Sequence, residues 1–227
     1  MSMKRVINPH AEIDADLAEK WQSLIDVMSI SCVATDAQDR ENVMRSYMQQ
    51  RSVVKTFIGP ALTVKLSPGN IVDCLPIFDV AQPGDVIVID AFGESETSIW
   101  GGLMCGLARA AGIVGVVIDG SARDTDEARM LDFPIVTKAV SPRAAHSAYT
   151  GQFDPIEINV PIVCGGVQVS PGDFIVADEI GVTVVPAERA AETYDRAREQ
   201  ADKEAATRED ILAGFTVKQL LDKYGRI

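Results

Sequence analysis

The sequence predicts a fold of the α/β class, from two patterns in the middle of the chain. Residues 83–90 begin with Pro-Gly-Asp, a turn-forming triplet, and continue as a β-branched run, which predicts a strand buried on both faces. Residues 100–111 are rich in Ala and Leu and are followed by Gly112, which predicts a helix, and the apolar run 113–118 predicts a second buried strand. This alternation of strand, helix and strand is typical of a fold built on a parallel sheet.

The composition excludes several classes of protein. The 227 residues include 33 Asp and Glu against 21 Lys and Arg, a formal net charge of −12, so we expect no nucleic-acid partner. Hydrophobic residues make up 47% of the chain, the mix of a globular protein. No apolar run approaches the ~20 residues of a membrane helix, and the N-terminus lacks the apolar segment of a signal peptide. We therefore expect a cytoplasmic protein without membrane contact.

Other elements follow from periodicity and turn signals. Residues 14–28 carry apolar residues at three- and four-residue spacing, which predicts an amphipathic helix. Residues 53–66 indicate β-structure with a turn at Gly59–Pro60, and residues 122–131 indicate the start of another helix. Pro-Gly-Asp recurs 88 residues after its first copy, in residues 171–178, and we interpret it as a strand-entry turn used twice rather than as a duplication.

The C-terminal portion is predicted to be a helical arm, about 186–227, on a single domain that spans 1–227. Pro186 suits the first position of a helix, and small residues, mostly Ala, form a stripe along the charged sequence that follows. This stripe is equally consistent with packing on the body of the protein and with packing on another subunit.

Cysteine and histidine usage gives little support to several kinds of site. The four cysteines contain no C-x-x-C pair, which predicts buried thiols rather than disulfides or zinc ligands. His10 and His146 are too far apart for an H-x-x-x-H site, and we interpret His146 as an ordinary surface or hydrogen-bonded histidine. No phosphate-binding loop or dinucleotide fingerprint is present, so nucleotide chemistry is not expected.

Residues 100–127 form the most informative stretch. Gly101 and Gly102 stand at the predicted start of a helix, where bare backbone N–H groups can receive a carboxylate or phosphate. Arg123 can clamp a carboxylate with two parallel hydrogen bonds. Asp124 and Glu127, three residues apart, can share one face of a helical turn and serve a hard cation such as Mg²⁺ or Mn²⁺, although helix-capping charges would show the same spacing.

The order of the motifs resembles that of the RraA-like family. This family includes divalent-metal-dependent 4-hydroxy-4-methyl-2-oxoglutarate / 4-carboxy-4-hydroxy-2-oxoadipate aldolases and ribonuclease E inhibitor proteins. The resemblance covers nearly the whole chain and rests on segments 31–37, 59–64, 83–90, 100–103, 117–124 and 171–178.

The resemblance implies a layered α/β fold around a β-barrel-like core, of the swivelling β/β/α type with flanking helices. It also implies homotrimers or homohexamers with active sites between subunits. The family's arginine and aspartate fall on Arg123, which would hold the pyruvyl part of the substrate, and on Asp124, which would carry the metal. The glycine-rich helix start falls on Gly101, Gly102, Leu103 and Met104, whose N–H groups would face the substrate carboxylate.

One position departs from the pattern of many of the aldolases. These have an acidic residue where this chain has Gly102, whereas others have glycine there and an acidic residue three after the aspartate. Gly102 and Glu127 fit the second pattern, which implies that Glu127 belongs to the metal site. Glu199, on the C-terminal arm, is a weaker candidate for reaching the metal-bound waters of a neighbouring subunit, and a solvated helix charge is the favoured interpretation.

Together with these residues, the resemblance implies a metal-dependent lyase that releases pyruvate and a second 2-oxo acid from a 4-hydroxy-2-oxo di- or tricarboxylate. Oxaloacetate decarboxylation proceeds through the same pyruvate enolate and is expected as a side activity. No lysine lies within residues 101–127, so a Schiff-base route has no local support. The alternatives are a non-enzymatic regulator like the ribonuclease E inhibitors, and an oligomeric scaffold or carboxylate-binding module that would need Arg123 but no metal.

Overall fold

The computed structural model describes residues 5–66, 74–144 and 156–225. The fold is a mixed α/β arrangement, as predicted, with twelve strands and six α-helices in these ranges. The strands are β1 (Val6–Ile7), β2 (Gln49–Gln50), β3 (Phe57–Leu66), β4 (Val86–Asp90), β5 (Ser98–Trp100), β6 (Gly115–Ala122), β7 (Ile135–Val140), β8 (Ile156–Ile158), β9 (Ile162–Cys164), β10 (Val167–Val169), β11 (Phe174–Ala177) and β12 (Val182–Val185). The helices are α1 (Ala15–Gln22), α2 (Ile30–Asp36), α3 (Gly102–Ala110), α4 (Thr125–Met130), α5 (Ala190–Leu212) and α6 (Val217–Tyr224).

The centre of the fold is a sheet in the order β1-β8-β3-β4-β6-β7-β2, in which β3, β4, β6 and β7 run parallel. Strands β4 and β6 are buried on both faces, as their apolar runs predict. Alternate residues of these strands therefore face two different cores. Ile89 and Ile118 belong to the core that includes residues of α3 and α4, whereas Val88 and Val117 belong to the core beneath the β9–β10 hairpin.

A third core joins the helical arm to the body. Trp21 of α1 stacks on Phe174 of β11 and meets the edge of Tyr194 of α5. Ala197 and Ala201 of α5 are buried in the same cluster, so these members of the small-residue stripe pack on the protein's own body. Because these side chains are small, α5 can pack closely against α1 and α2.

The predicted turn at Gly59–Pro60 is wrong, because β3 passes straight through both residues. Residues up to Pro60 pair with β11, and pairing with β4 begins at Ala61. The missing N–H of Pro60 therefore falls where the strand changes partners, and a strand tolerates proline at such a place. Gly59 is needed here because a Cβ would overlap the carbonyl oxygen of Gly84.

The two Pro-Gly-Asp copies form the same local structure in different settings. Asp85 accepts a hydrogen bond from the N–H of Gln82 (2.8 Å), and Asp173 accepts one from Ser170 (2.7 Å). The first turn leads into β4, which is parallel to β3, and the second leads into β11, which is antiparallel to β3. The shared feature is thus the strand-entry turn.

Three predicted helices have different bounds in the structure. The helix predicted over 14–28 begins after its N-cap Asp14 but ends at Gln22, and tight turns carry the chain through Leu24 and Val27. These turns keep Leu24 buried, which explains why the helical periodicity continues past the helix. Residues 100 and 122, predicted to be helical, are the last residues of β5 and β6.

Two further expectations concern single residues. The prediction of four buried thiols is wrong for Cys32, which is exposed on α2, whereas the other three cysteines are buried and all four are free. His146 lies outside the described residues.

Within the ranges that the structure describes, no helix is long and apolar enough to cross a membrane.

Candidate functional site

The starts of α3 and α4 meet at the carboxyl end of β6. Strand β5 pairs with β6 so that Trp100 lies opposite Ala122, and the N–H of Arg123 donates to the carbonyl of Trp100 (2.9 Å). Residues 101–102 are therefore held beside residues 123–124, although they are more than 20 residues apart in the chain. Carboxyl ends of parallel strands are the usual place for ligand sites in such sheets.

Asp124 directs its carboxylate to α3 rather than to its own helix. Asp124 has the N-cap position of α4 with a left-handed backbone (φ 51°), yet its side chain caps no N–H of α4. Its Oδ2 instead accepts from the N–H of Gly102 (3.2 Å) and lies 3.4 Å from Nε of Arg123. A Cβ on residue 101 would come within 2.6 Å of the same oxygen, so glycine at 101 makes this approach possible.

Glu127 occupies the space above Gly102. A Cβ built on residue 102 would overlap the carboxylate of Glu127, so this side chain lies directly against the glycine backbone. Glu127 and Asp124 are thus brought to the neighbouring residues Gly102 and Gly101 at the start of α3. The side chain of Asp124 makes no capping hydrogen bond to α4.

The first turn of α3 presents free donors beside these carboxylates. Gly102 donates to Asp124, whereas the N–H groups of Leu103 and Met104 have no hydrogen-bond partner among the described residues. Such donors at a helix start carry partial positive charge and favour an anion. With the guanidinium of Arg123 alongside, the site can receive the carboxylate of a ligand.

The floor of the site is formed by a pair that sequence reasoning missed. Nε1 of Trp100 donates to Sγ of Cys105 (3.3 Å), and both side chains are buried. Burial, together with the carboxylates of Glu127 and Asp124, raises the pKa of the Cys105 thiol to about 11, although the hydrogen bond from Trp100 lowers it. Cys105 therefore stays protonated at neutral pH. Trp100, directly before the two glycines, was the residue in the sequence that could have indicated this buried pair.

The donor set of the site suits a partly hydrated divalent cation. Asp124 and Glu127 supply carboxylate oxygens, which Mg²⁺ and Mn²⁺ prefer, and Mg²⁺ commonly binds through one or two carboxylates while keeping several waters. Across the described ranges, no group of three or more His, Cys, Asp or Glu side chains is placed to hold a metal. One protomer therefore offers two carboxylates, and waters or other groups would complete the coordination.

The site is open to its surroundings. The side chains of Arg123 and Asp124 are 42% and 43% exposed. On α3 and α4, Leu103 and Met130 are 82% and 86% exposed, which is unusual for large apolar side chains on two helices in contact.

Glu199 is not part of this arrangement within one protomer. It lies exposed on α5, which packs against α1, α2 and α6. In the part of the chain that the structure describes, no hydrogen bond or ion pair joins Glu199 to Arg123, Asp124 or Glu127. Its predicted contact with a neighbouring subunit stays a prediction.

Comparison with known proteins places these features in a family. The family model RraA-like, described as Aldolase/RraA, matches residues 22–184, which include the whole site. The chain belongs to the RraA-like family. A relative in Halalkalibacterium halodurans, named "Putative 4-hydroxy-4-methyl-2-oxoglutarate aldolase", is 38% identical over 179 residues, covering 78% of this chain and 82% of the relative.

Two solved structures share the fold of this chain. An uncharacterised protein from Pseudomonas syringae is 28% identical, with a TM-score of 0.79 and coverage of 96% of this chain and 99% of that chain. RraAS2 from Streptomyces coelicolor, described as an unusual member of the RNase ES inhibitor RraA protein family, is 27% identical, with a TM-score of 0.73 and coverage of 88% and 100%. Proteins similar to this chain are thus named for two different activities.

Proposed function

We propose that this protein is a divalent-metal-dependent lyase that cleaves 4-hydroxy-2-oxo di- or tricarboxylic acids by a retro-aldol reaction. The products would be pyruvate and a second 2-oxo acid, with 4-hydroxy-4-methyl-2-oxoglutarate and 4-carboxy-4-hydroxy-2-oxoadipate as the substrate class. The observation that carries the proposal is the meeting of Arg123, Asp124 and Glu127 over the N-terminal turn of α3. The relative named as an aldolase supports the same reaction class.

The protein's own groups would bind and orient the 2-oxo acid end of the substrate. The N–H groups of Leu103 and Met104 would receive the carboxylate, because donors at a helix start need no rearrangement to hold an anion. Arg123 would lie against the keto oxygen and neutralise the negative charge that develops there as the carbon–carbon bond breaks. Its contact with Asp124 fixes the guanidinium at the edge of the site.

Asp124 and Glu127 would hold the cation. A bound Mg²⁺ or Mn²⁺ supplies Lewis-acid polarisation of a keto oxygen. With two carboxylates against one guanidinium, the site carries a net negative formal charge until a divalent cation binds. Oxaloacetate presents the same 2-oxo acid end, so we include oxaloacetate decarboxylation as a side activity.

We also propose that the protein works as a homotrimer or homohexamer with the site between subunits. The exposed apolar side chains of Leu103, Leu107 and Met130 beside the site support this, because burial against a second copy would remove them from water. The same arrangement is what would bring Glu199 of another copy near the cation.

A regulator that acts like the ribonuclease E inhibitors is the second candidate. The likeness to Streptomyces coelicolor RraAS2 favours it. Such a protein acts through contact with a partner and needs no pair of carboxylates beside an arginine and free helix N–H groups. The side chains at the start of α4 therefore favour the lyase.

The test is release of pyruvate from oxaloacetate and from 4-hydroxy-4-methyl-2-oxoglutarate, with and without Mg²⁺. We expect Mg²⁺-dependent release by the wild type and a loss of about 100-fold or more in Asp124→Ala, the scale of removing one preorganised electrostatic group. Asp126→Ala is the matched control, because Asp126 is an exposed carboxylate in the same helical turn. Absence of pyruvate with every metal would contradict the lyase and favour the regulator.

A further inference from the structure

Three charged side chains form a row across the sheet, away from the site at residues 101–127. Lys65 of β3 pairs in register with Asp90 of β4, and Asp90 pairs in register with Asp119 of β6. Successive residues of a strand point to opposite faces, so these three lie on the face of Val88 and Val117, beneath the β9–β10 hairpin. Helices α3 and α4 cover the opposite face.

A cleft of about 550 Å³ opens over this row. Lys65, Asp90 and Asp119 line it together with the apolar side chains of Phe92, Ile162 and Val163. Its volume falls within the range of about 300–1,000 Å³ that is usual for small-molecule sites. Apolar walls with a few convergent charges are also the usual composition of such sites.

Asp119, at the negative end of the row, is not fully hydrogen-bonded by its neighbours. Asp119 is only 9% exposed; its Oδ2 accepts from the N–H of Gly165 (3.0 Å), while its Oδ1 has no hydrogen-bond partner among the described residues. Buried carboxylate oxygens in folded proteins are nearly always hydrogen-bonded, so the bare Oδ1 indicates a missing partner. The ammonium of Lys138, on the neighbouring β7, donates to the carbonyl of Gly93 instead (2.7 Å).

Asp90 and Lys65 also retain capacity for a ligand. Asp90 accepts from the N–H of Phe92 through Oδ1 (2.9 Å), and the backbone of Val163 also hydrogen-bonds to its carboxylate. Lys65 lies with Nζ 5.7 Å from the centre of the Phe92 ring, and no ion pair within 4.0 Å joins it to either carboxylate in the ranges described. The row therefore presents a positive end at Lys65 and a negative end at Asp90 and Asp119, with no ion pair between the two ends in the described ranges.

We propose that this cleft binds an α-amino acid with an apolar side chain. The ammonium group lies against the carboxylates of Asp90 and Asp119, and the α-carboxylate meets the ammonium of Lys65. The apolar side chain packs against Phe92, Ile162 and Val163. Neighbouring strands are about 4.8 Å apart, so the two ends of the row are within the span of a small zwitterion and its hydrogen bonds.

The same geometry disfavours a metal ion and an anion. A hard cation seeks six or more oxygen ligands, whereas this row offers two carboxylates and places an ammonium beside them. An anion such as phosphate would face two carboxylates. The proposal does not depend on the lyase reaction, because the two sites use different residues on opposite faces of the sheet.

The test is calorimetric titration of the full-length protein with L-leucine. Two analogues remove one charged group each: 4-methylpentanoate lacks the ammonium, and 3-methylbutylamine lacks the carboxylate. We expect L-leucine to bind at least about tenfold more tightly than either, the effect of losing one hydrogen-bonded charge. Asp90→Asn and Lys65→Met should each weaken leucine binding by a similar factor.

Matched controls separate this site from the rest of the molecule. Lys55 and Asp132 form an exposed ion pair elsewhere, so Lys55→Met and Asp132→Asn should bind leucine like the wild type. Asp124→Asn should also retain leucine binding, even where pyruvate release is lost. Absence of binding by leucine, equal binding of 3-methylbutylamine, or unchanged affinity in both Asp90→Asn and Lys65→Met would overturn the proposal.

Discussion

The carboxylate of Glu127 fills the space in which a side chain at position 102 would begin. The two positions are 25 residues apart in sequence, yet a side chain at position 102 would displace the carboxylate of Glu127 from this point. The RraA-like pattern in which acidic residues stand at one position or the other thus has a steric basis in this chain. Glycine at 102 and glutamate at 127 are two parts of one arrangement.

An amide substitution at Asp124 should separate the effect of its charge from the effect of its shape. Asparagine tolerates the left-handed backbone of this position as well as aspartate does, but it carries no charge. We therefore expect Asp124→Asn to lower kcat/KM for pyruvate release by about 100-fold or more, with unfolding free energy within about 0.5 kcal/mol of wild type. Steady-state kinetics and urea unfolding check this, and a large loss of stability would show that Asp124 is a structural residue.

The row in the cleft predicts a pH-dependent stability difference for Asp90→Asn. Burial raises the pKa of Asp90; the neighbouring Asp119 raises it further, while Lys65 and hydrogen bonds from backbone N–H groups lower it. Cys164, packed from β9, has a thiol pKa raised by burial and by these carboxylates, so it stays neutral.

Because the folded protein binds this proton more tightly than the unfolded chain, the charged carboxylate costs stability above its folded pKa. That cost disappears as the pH falls toward about 4, near the pKa of an unfolded aspartate. Asp90→Asn should therefore be more stable than wild type at pH 7.5, and the gain should shrink toward pH 4. Urea unfolding across this range measures it, with Asp132→Asn as control because Lys55 lowers the pKa of Asp132. A gain that grows as the pH falls would contradict the argument.

Asp178 ties two of the sequence motifs together, and its loss should weaken the fold. Its carboxylate accepts from the N–H and hydroxyl of Ser31 at the start of α2 (2.9 and 2.8 Å) and from the N–H of Ile180. Asp178→Ala leaves buried donors without acceptors, which should lower the unfolding free energy by about 3 kcal/mol. Glu179→Ala, an exposed neighbour, should change it by less than about 0.5 kcal/mol. Equal effects of the two substitutions would refute the role of Asp178.

Sequence patterns predicted those parts of the fold that local chemistry determines. The buried runs became β4 and β6, and Gly112 ended α3 with a left-handed backbone. Gly59–Pro60 was mispredicted because its tolerance in a strand depends on where β3 changes partners, which is a property of the sheet.

The candidate site was accessible from sequence because its residues lie in two short segments with recognisable chemistry. The convergence of Glu127 on Gly102 could be suspected only from the family pattern, since nothing local in either segment indicates it. The cleft was missed because Lys65, Asp90 and Asp119 come from three strands. Asp90 and Asp119 each follow a buried apolar run, and only the register of the sheet shows that they are neighbours.

Moving the carboxylate from position 127 to position 102 tests the account most directly. The measurement is kcat/KM for Mg²⁺-dependent pyruvate release from 4-hydroxy-4-methyl-2-oxoglutarate by Glu127→Ala, Gly102→Asp and the double variant. We expect Glu127→Ala to lose about 10- to 100-fold, the scale seen when groups around a metal are removed. Gly102→Asp should also lose activity, because its side chain displaces the carboxylate of Glu127. The double variant should recover most of the activity of the wild type, whereas a double variant no better than the worse single variant would contradict a shared carboxylate position.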